Sequence, residues 1–344
     1  MTRPHVVQVV RSDAFAGVER YIVDTATELR NRGWLVTVIG GHADRMRAEL
    51  PADVAHHPAV TVVDVTRALW RVGRCDVVHA HMTAAELPAA VLKVFRRQRL
   101  VITRHFATQR GRSVPGRVVA RFIERQLDVQ IAISRYVADS TDSPCVVIHN
   151  GVTPSDRSLP RDQVVLVLQR LQQEKDTALA LRAWAQSGQL GAGWRLVIRG
   201  RGAEEPALRA LANDLGVTAS VDFAGFTDEP RLALARAAAL LATARAEPFG
   251  LAVVEAMAEA TPVIASNSGA HPETLGADGV YFAAGNVTEC AAALARLAAS
   301  PITRAEVGER LRKRQRELFS VSAHVDRLER EYQLMSTSDP RRSP

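Results

Sequence analysis

Residues 239–265 read ALLATARAEPFGLAVVEAMAEATPVIA. A short apolar run at 239–242 gives way to a loop of small and charged residues. An apolar segment of helical length opens at Leu251, and a second short apolar run closes the unit at 263–265. Short, wholly apolar strands joined by a helix mark parallel strands covered on both faces, because the crossover helices do the covering. The same alternation extends in both directions. Strands are expected at 164–169, 195–199, 221–223 and 280–282 as well, with helices such as 177–186 and 203–215 between them. Upstream, 150–163 reads NGVTPSDRSLPRDQ, a stretch dense in turn formers that reads as an interdomain linker. Before it the rhythm repeats, with strands expected at 5–10, 35–39, 60–63, 76–80, 100–103, 129–133 and 146–149. The fold class is therefore α/β: two Rossmann-like, doubly wound domains, 1–158 and 159–320, facing a cleft. Ligands of such sheets sit beyond the carboxyl ends of the strands, so functional residues are sought there.

Composition agrees with two domains, since 344 residues at 47% hydrophobic content supply more than one ordinary core. The three cysteines, Cys75, Cys145 and Cys290, are too few and too scattered for a disulfide framework or a paired-cysteine metal site, which points to a reducing, cytoplasmic setting. The start, MTRPHVVQVV, runs into a strand without a signal-peptide pattern, and no apolar run reaches membrane-spanning length. The net charge of +7 is uneven: residues 1–158 hold 22 basic and 15 acidic side chains, whereas 159–344 hold 22 of each. The excess concentrates in 93–125, where Lys93, Arg96, Arg97, Arg99, Arg104, Arg110, Arg112, Arg117, Arg121 and Arg125 face a single acid, Glu124.

The loop inside the opening stretch carries the strongest chemical signal: Glu247-Pro248-Phe249-Gly250-Leu251, followed by Glu255. Gly250 lets the backbone come close to a ligand, and the amides of Gly250 and Leu251 at the helix start suit a phosphate. Glu255 lies some five residues into the helix, roughly 7–8 Å along its axis. That separation suits one carboxylate on a sugar and the other on a ribose, flanking a diphosphate. In Arg170-Leu171-Gln172-Gln173-Glu174-Lys175, two cations stand at a strand's carboxyl end, where they would neutralise a diphosphate leaving group. Lysine is informative here, because the chain has three lysines against 41 arginines. Gly200-Arg201-Gly202 suggests close approach to a base or phosphate. The run continues Ala203-Glu204-Glu205 without the third glycine of a dinucleotide fingerprint, so no nicotinamide or flavin cofactor is expected. In the first domain, Gly17 offers amides at the start of the first helix. Of the histidines at strand ends, His79 reads as a core residue, His81 equally as core or functional, and His105 as functional. No HExxH, cysteine pair or Asp-x-Asp occurs, so no metal is expected.

Taken together these segments resemble family 4 of the retaining glycosyltransferases, which have the GT-B fold. The resemblance runs through AGVERYIVDTATELRNRGWLVTVIGG (16–41), DVVHAHM (76–82), ISRYVADS (133–140), VIHNGV (147–152), RLQQEK (170–175), GRG (200–202) and EPFGLAVVEAMAEATPVIAS (247–266). It implies that Glu247 contacts the hydroxyls of the transferred sugar, Glu255 the ribose, and Arg170 and Lys175 the diphosphate, with His105 beside the reacting sugar. Amides of Gly17, Phe249, Gly250 and Leu251 would bind phosphate or sugar. It further implies a nucleotide-diphosphate sugar donor, UDP-sugar before GDP-sugar, no other cofactor, and reaction on the leaving-group face. The acceptor would be a small molecule, a glycan or a lipid-linked molecule. Three departures stand out: Ala16-Gly17 replaces paired glycines, and Gln169 and Asp176 replace the glycines that flank the Arg and Lys in the family. The last helix, expected at 322–334, resembles the segment that crosses back onto the first domain, in a terminal region 321–344.

Arg117, Arg121 and Arg125 recur at helical spacing and should share one face of a helix, with Val118, Val119, Phe122 and Ile123 on the other, following a flexible loop at 107–116. Such a helix would form an acceptor rim suited to an anionic acceptor, or give peripheral contact with the inner face of an anionic membrane. The alternative is an ordinary solvated face. A nucleic-acid partner is not expected, since only Phe106 and Phe122 stand among these arginines to stack bases. The closer rival function is a GT-B enzyme that epimerises or hydrolyses a nucleotide sugar without transferring it.

Overall fold

The computed structural model describes residues 3–96, 98–107, 114–141, 143–188, 191 and 193–337. The chain forms two units, one of Met1–Thr153 with Ser320–Pro344, the other of Pro154–Phe319. The expectation from sequence divides the chain at 158/159 and 320/321.

The first unit is built on strands β1 (His5–Val10), β2 (Leu35–Ile39), β3 (Ala55–His57), β4 (Val77–His81), β5 (Arg99–Arg104), β6 (Val129–Ala132) and β7 (Val146–Val147). They pair in parallel in the order β3-β2-β1-β4-β5-β6-β7. The second unit has β8 (Asp162–Leu168), β9 (Arg195–Arg199), β10 (Val221–Gly225), β11 (Ala237–Ala242), β12 (Val263–Ser266) and β13 (Val280–Phe282). These are parallel in the order β10-β9-β8-β11-β12-β13. Both orders are those of the doubly wound Rossmann fold, with the direction of winding reversing between β1 and β4 and between β8 and β11. β11, AAALLA, is buried at all six positions, as a central parallel strand requires.

The sequence-predicted strand at 60–63 is a correction. Thr61 Oγ1 accepts from the Asp64 amide at 3.1 Å and the Asp64 carboxylate accepts from the Thr61 amide at 2.9 Å, a reciprocal cap that starts the helix Val62–Val72. The cap outweighs the β-branched run, and the edge strand is the short β3 instead.

In the first unit one face of the sheet is covered by helices Val62–Val72, Thr83–Phe95 and Val114–Gln126, which bury Val65, Leu69, Ala89, Leu92 and Ile123 against strand residues such as Val9 and Ile102. The last of these helices is a second correction. Ile123 and Ala120 are buried as its apolar side should be, but Val118 and Val119 are exposed, as are Arg117, Arg121 and Arg125. Of the basic stretch, Arg97, Arg110 and Arg112, with most of the 107–116 loop, lie outside the described residues. Among the described residues no helix is long and apolar enough to cross a membrane.

The opposite face carries helix Gly17–Asn31 and the final helix, Val321–Thr337, whose Val325, Leu328 and Tyr332 join the same core. Arg32 ties the two together. Its guanidinium reaches Glu28 at 2.9 Å, Asp326 at 2.5 Å and Glu329 at 2.8 Å, and donates to the Ser322 carbonyl at 3.0 Å. Trp34 Nε1 donates to the other oxygen of Glu329 at 2.7 Å. Replacing Arg32 with alanine removes one cation from three carboxylates and is expected to cost about 1–3 kcal/mol. The readout is a lower urea midpoint with an unchanged slope; an unchanged midpoint would mean that apolar packing alone holds the final helix.

Candidate functional site

The second unit's winding reverses between β8 and β11, and the segments leaving these two strands, Gln169 onward and Thr243 onward, carry most of the expected residues. Lys175 ends the short turn Gln173–Lys175, and its Nζ lies 2.7 Å from Glu247 Oε2. The side chains are only 14% and 16% exposed, so each charge depends on the other for compensation. The backbone beneath is pinned: Thr243 Oγ1 donates to the Lys175 carbonyl at 2.7 Å, and Gln169 Nε2 donates to the same carbonyl at 3.0 Å and to Thr177 Oγ1 at 2.9 Å.

Asp176 adopts the left-handed region, φ 50° and ψ 44°, a conformation that favours glycine and is tolerated by aspartate. Its carboxylate accepts from Arg245 Nε at 2.7 Å. The two departures from the family pattern thus hold the lysine loop by side-chain bonds that glycines cannot make. Arg170 takes a different partner. It is more than half exposed and lies 3.2 Å from Glu174 on its own loop.

Gly250 stands at φ +86° before helix Leu251–Ala258, whose start has no side-chain cap. Glu255 lies half-buried on that helix. Phe249 is buried, its carbonyl accepts from Thr274 Oγ1 at 2.9 Å, and its ring meets Phe319 edge-on at 6.0 Å, so its side chain anchors the loop in the core. Close approach at Gly200 and Gly202 is made by the chain itself. A Cβ on Gly200 would stand 1.8 Å from the Gln169 carbonyl oxygen, and one on Gly202 would stand 2.0 Å from that of Leu171. His271, which the sequence reading missed, is buried beside this loop. Burial lowers its pKa, against the opposing pull of Glu247.

In the first unit, Gly17 is the exposed first residue of its helix, and Glu19 folds back to accept from the Ala16 amide at 3.0 Å. His105 follows β5 and lines a cavity of about 230 Å³ with Arg11, Thr83, Glu86, Thr103 and Arg104. Arg104 and Glu86 lie 3.7 Å apart, both buried. Met82, on the same wall, has φ 66°, a strained value for a non-glycine residue.

Behind the cavity is a hydrogen-bonded histidine cluster. His81 Nε2 is 2.6 Å from Gln8 Oε1, and its Nδ1 is 3.1 Å from His105 Nε2. An amide oxygen only accepts, so His81 donates to Gln8 and accepts from His105, leaving His105 Nδ1 as a lone pair. His79 links Thr103 Oγ1 and the Tyr332 hydroxyl at 2.7 Å each. His324 donates from Nδ1 to the His149 carbonyl at 2.7 Å and meets the Tyr21 hydroxyl through Nε2 at 3.0 Å. His79 and His81 are therefore both wholly interior. The sequence had no means of linking residues 8, 21, 81, 105, 324 and 332, because tertiary structure alone assembles them. Among the described residues no group of three or more His, Cys, Asp or Glu side chains is placed to hold a metal ion.

Two Rossmann-like domains, with ionisable residues at the switch point of the second and a cavity lined by His105 and Arg104 in the first, make this a two-domain α/β protein of the GT-B type. Residues 15–156 match the family described as Glycosyltransferase Family 4, and residues 155–314 that described as Glycosyl transferases group 1. The chain belongs to family 4 of the glycosyltransferases. It is 32% identical over 247 residues to a glycogen synthase of Mycobacterium tuberculosis, covering 64% of this chain and 59% of that one. It is 28% identical over 282 residues to the lipopolysaccharide core biosynthesis mannosyltransferase LpsB of Rhizobium meliloti, covering 75% and 76%. The crystal structure of Anabaena HepE in complex with UDP and glucose shares the fold, with a TM-score of 0.79 at 19% identity over 97% of this chain and 100% of that one. The match thus spans 59% of the length of the glycogen synthase.

Burial lowers the pKa of His105 to about 3 and of His324 to about 4, and holds His79 and His81 well below the ordinary 6.5. Above pH 6.5 folded and unfolded chains are both neutral at these sites and the full stability is present. As pH falls below 6.5 the unfolded chain takes up protons that the folded one refuses, and each histidine removes at most about 1.4 kcal/mol per pH unit. Stability should therefore decline from pH 6.5 toward about 4, with His324→Leu flattening the decline. Urea midpoints that stay level through this window would show that the cluster accepts protons while folded.

Proposed function

We propose that this chain is a retaining glycosyltransferase that takes a hexose from a UDP-sugar, or secondarily a GDP-sugar, and passes it to a glycan or lipid-linked acceptor without a metal ion, in the cytoplasm. The observation that carries this reading is the Lys175–Glu247 pair at the β8/β11 switch point, beside an uncapped helix start. In this reading the diphosphate takes the place of Glu247 as the counter-ion of Lys175, joined by Arg170 and the amides of Phe249, Gly250 and Leu251. Glu247 is then released to accept hydrogen bonds from the sugar, and Glu255 binds the ribose. Backbone at Gly200 and Gly202 borders the nucleotide. His105 accepts a hydroxyl hydrogen bond through its Nδ1, and the Gly17 amide binds phosphate or sugar.

The bond from the anomeric carbon to the phosphate oxygen breaks. The departing phosphate takes the proton of the acceptor hydroxyl, and the acceptor oxygen bonds to the anomeric carbon on the same face, so configuration is kept. Lys175, Arg170 and the helix start stabilise charge that grows on the phosphate, where fixed cations contribute most. UDP is favoured because HepE was solved with UDP and glucose. A glycan or lipid-linked acceptor is favoured by the lipopolysaccharide core mannosyltransferase among the relatives.

The test uses donor turnover and UDP binding in parallel. Glu247→Gln is expected to lower sugar transfer by about 100-fold or more. It should leave UDP binding equal or tighter, because the diphosphate no longer displaces a carboxylate. Glu255→Ala is expected to weaken UDP itself by about tenfold, and chelator-treated enzyme to keep most of its rate. Equal UDP affinity in all three proteins would dissolve the division of roles. Loss of activity on chelation with rescue by magnesium would overturn the metal-independent mechanism, and turnover without transfer to any acceptor would favour hydrolysis.

A further inference from the structure

Among the described residues sixteen large hydrophobic side chains are exposed, and nine of them lie on the helix layer Val62–Val72, Thr83–Phe95 and Val114–Gln126. The middle helix is the extreme case. After Thr83, its exposed positions are Leu87, Val91, Val94 and Phe95, which follow i, i+4, i+7 and i+8 and form one uninterrupted apolar stripe. Phe95 is 68% and Val94 56% exposed, values that a surface helix normally gives to polar side chains. Lys93, the only cation on this helix, is drawn back to the Gln126 carbonyl and Asp128.

Trp70 from the preceding helix extends the stripe, its ring 5.9 Å from Phe95, with the Arg96 guanidinium stacked on it at 4.7 Å. On the following helix Val118 and Val119 are exposed as well. Both flanks are basic: Arg67 and Arg71, with Arg74 just beyond, on one side, and Arg117, Arg121 and Arg125 on the other, all exposed. Against these the three helices expose one acid, Glu124; Asp64 is occupied in capping its own helix.

We propose that this face docks on an anionic lipid bilayer, with Trp70 and the Leu87–Val91–Val94–Phe95 stripe entering the boundary between headgroups and acyl chains and the flanking arginines meeting lipid phosphates. A central apolar strip between two rows of like charge fits a surface that is apolar at depth and negative above it. A protein interface also has an apolar centre and a polar rim; what favours a bilayer here is that both flanks carry the same positive charge, which a uniformly anionic surface meets along its whole length. The contact differs from the one read from sequence, since the arginine helix supplies one flank and the insertion comes from residues 70 and 87–95. The inference does not rest on the donor-site reading.

The experiment is co-sedimentation of the full chain with phosphatidylcholine vesicles, with and without phosphatidylglycerol, at low and high salt. Binding is expected only with phosphatidylglycerol and is expected to fall steeply with salt. Val94→Ser/Phe95→Ser and Arg117→Gln/Arg121→Gln/Arg125→Gln should each weaken it by about tenfold. Tryptophan emission should shift to the blue on vesicle addition, and Trp70→Phe should remove the shift. UDP affinity measured on the same variants is expected to be unchanged, so a loss of vesicle binding is not a loss of fold. The proposal is overturned if wild type ignores phosphatidylglycerol, if both variants bind like wild type, or if Val94→Ser/Phe95→Ser instead abolishes self-association of the free protein. Retention on an acidic polypeptide without vesicle binding would likewise overturn it, in favour of a protein partner. Vesicle binding without UDP binding would leave this inference standing while removing the donor-site reading.

Discussion

The Lys175–Glu247 ion pair is the constraint on which the second domain's site depends. Two charges this far out of water destabilise a fold unless each compensates the other, so the loops that carry them must meet. Everything around them enforces that meeting. Thr243 and Gln169 hold the Lys175 carbonyl, Asp176 turns the chain through the left-handed region, and Arg245 holds Asp176. In the proposed reading a diphosphate replaces Glu247 as the counter-ion of Lys175, and hydrogen bonds from the sugar hydroxyls then compensate the freed carboxylate.

The two domains use one backbone device for different ends. In each, a glycine with positive φ follows the second strand of the fold and packs on the carbonyl oxygen at the end of the first. Gly40 stands over Val10 and Gly200 over Gln169, with a Cβ on either at 1.8 Å from that oxygen. This draws the exits of the two strands together beside the switch point. At its switch point, between β8 and β11, the second domain places an ion pair. The first domain places neutral histidines on β4 and after β5, whose burial removes their charge and whose hydrogen bonds fix their tautomers. One domain holds paired charge at its switch point, and the other holds neutral imidazoles and hydroxyls.

Much of this was legible from residue order alone. The parallel strands announced themselves as short apolar runs, and the loop from Glu247 to Leu251 stood out because a glycine, an acid and a helix start coincide there. Strand 60–63 was misread because β-branched residues speak for a strand while the Thr61–Asp64 cap, spread over four positions, decides for a helix. Gly200 and Gly202 were legible as sites of close approach, but the approaching partner was the protein's own loop. Val118 and Val119 looked like a buried face because periodicity reports amphipathicity without saying which neighbours are present to cover it. Gln8, Tyr21, His324 and Tyr332 were beyond reach, since their link to His79, His81 and His105 exists only in three dimensions.

The central claim is that Lys175 trades a protein carboxylate for the phosphates of a nucleoside diphosphate. Calorimetric titration of UDP, GDP and ADP into wild type and Lys175→Met tests it most directly. The account requires wild type to bind at least one of the three, and Lys175→Met to bind that nucleotide at least about tenfold more weakly while binding the free nucleoside no differently. Equal affinity of the two proteins for the diphosphate would contradict it, and would leave the ion pair as a structural clamp with no part in holding the donor.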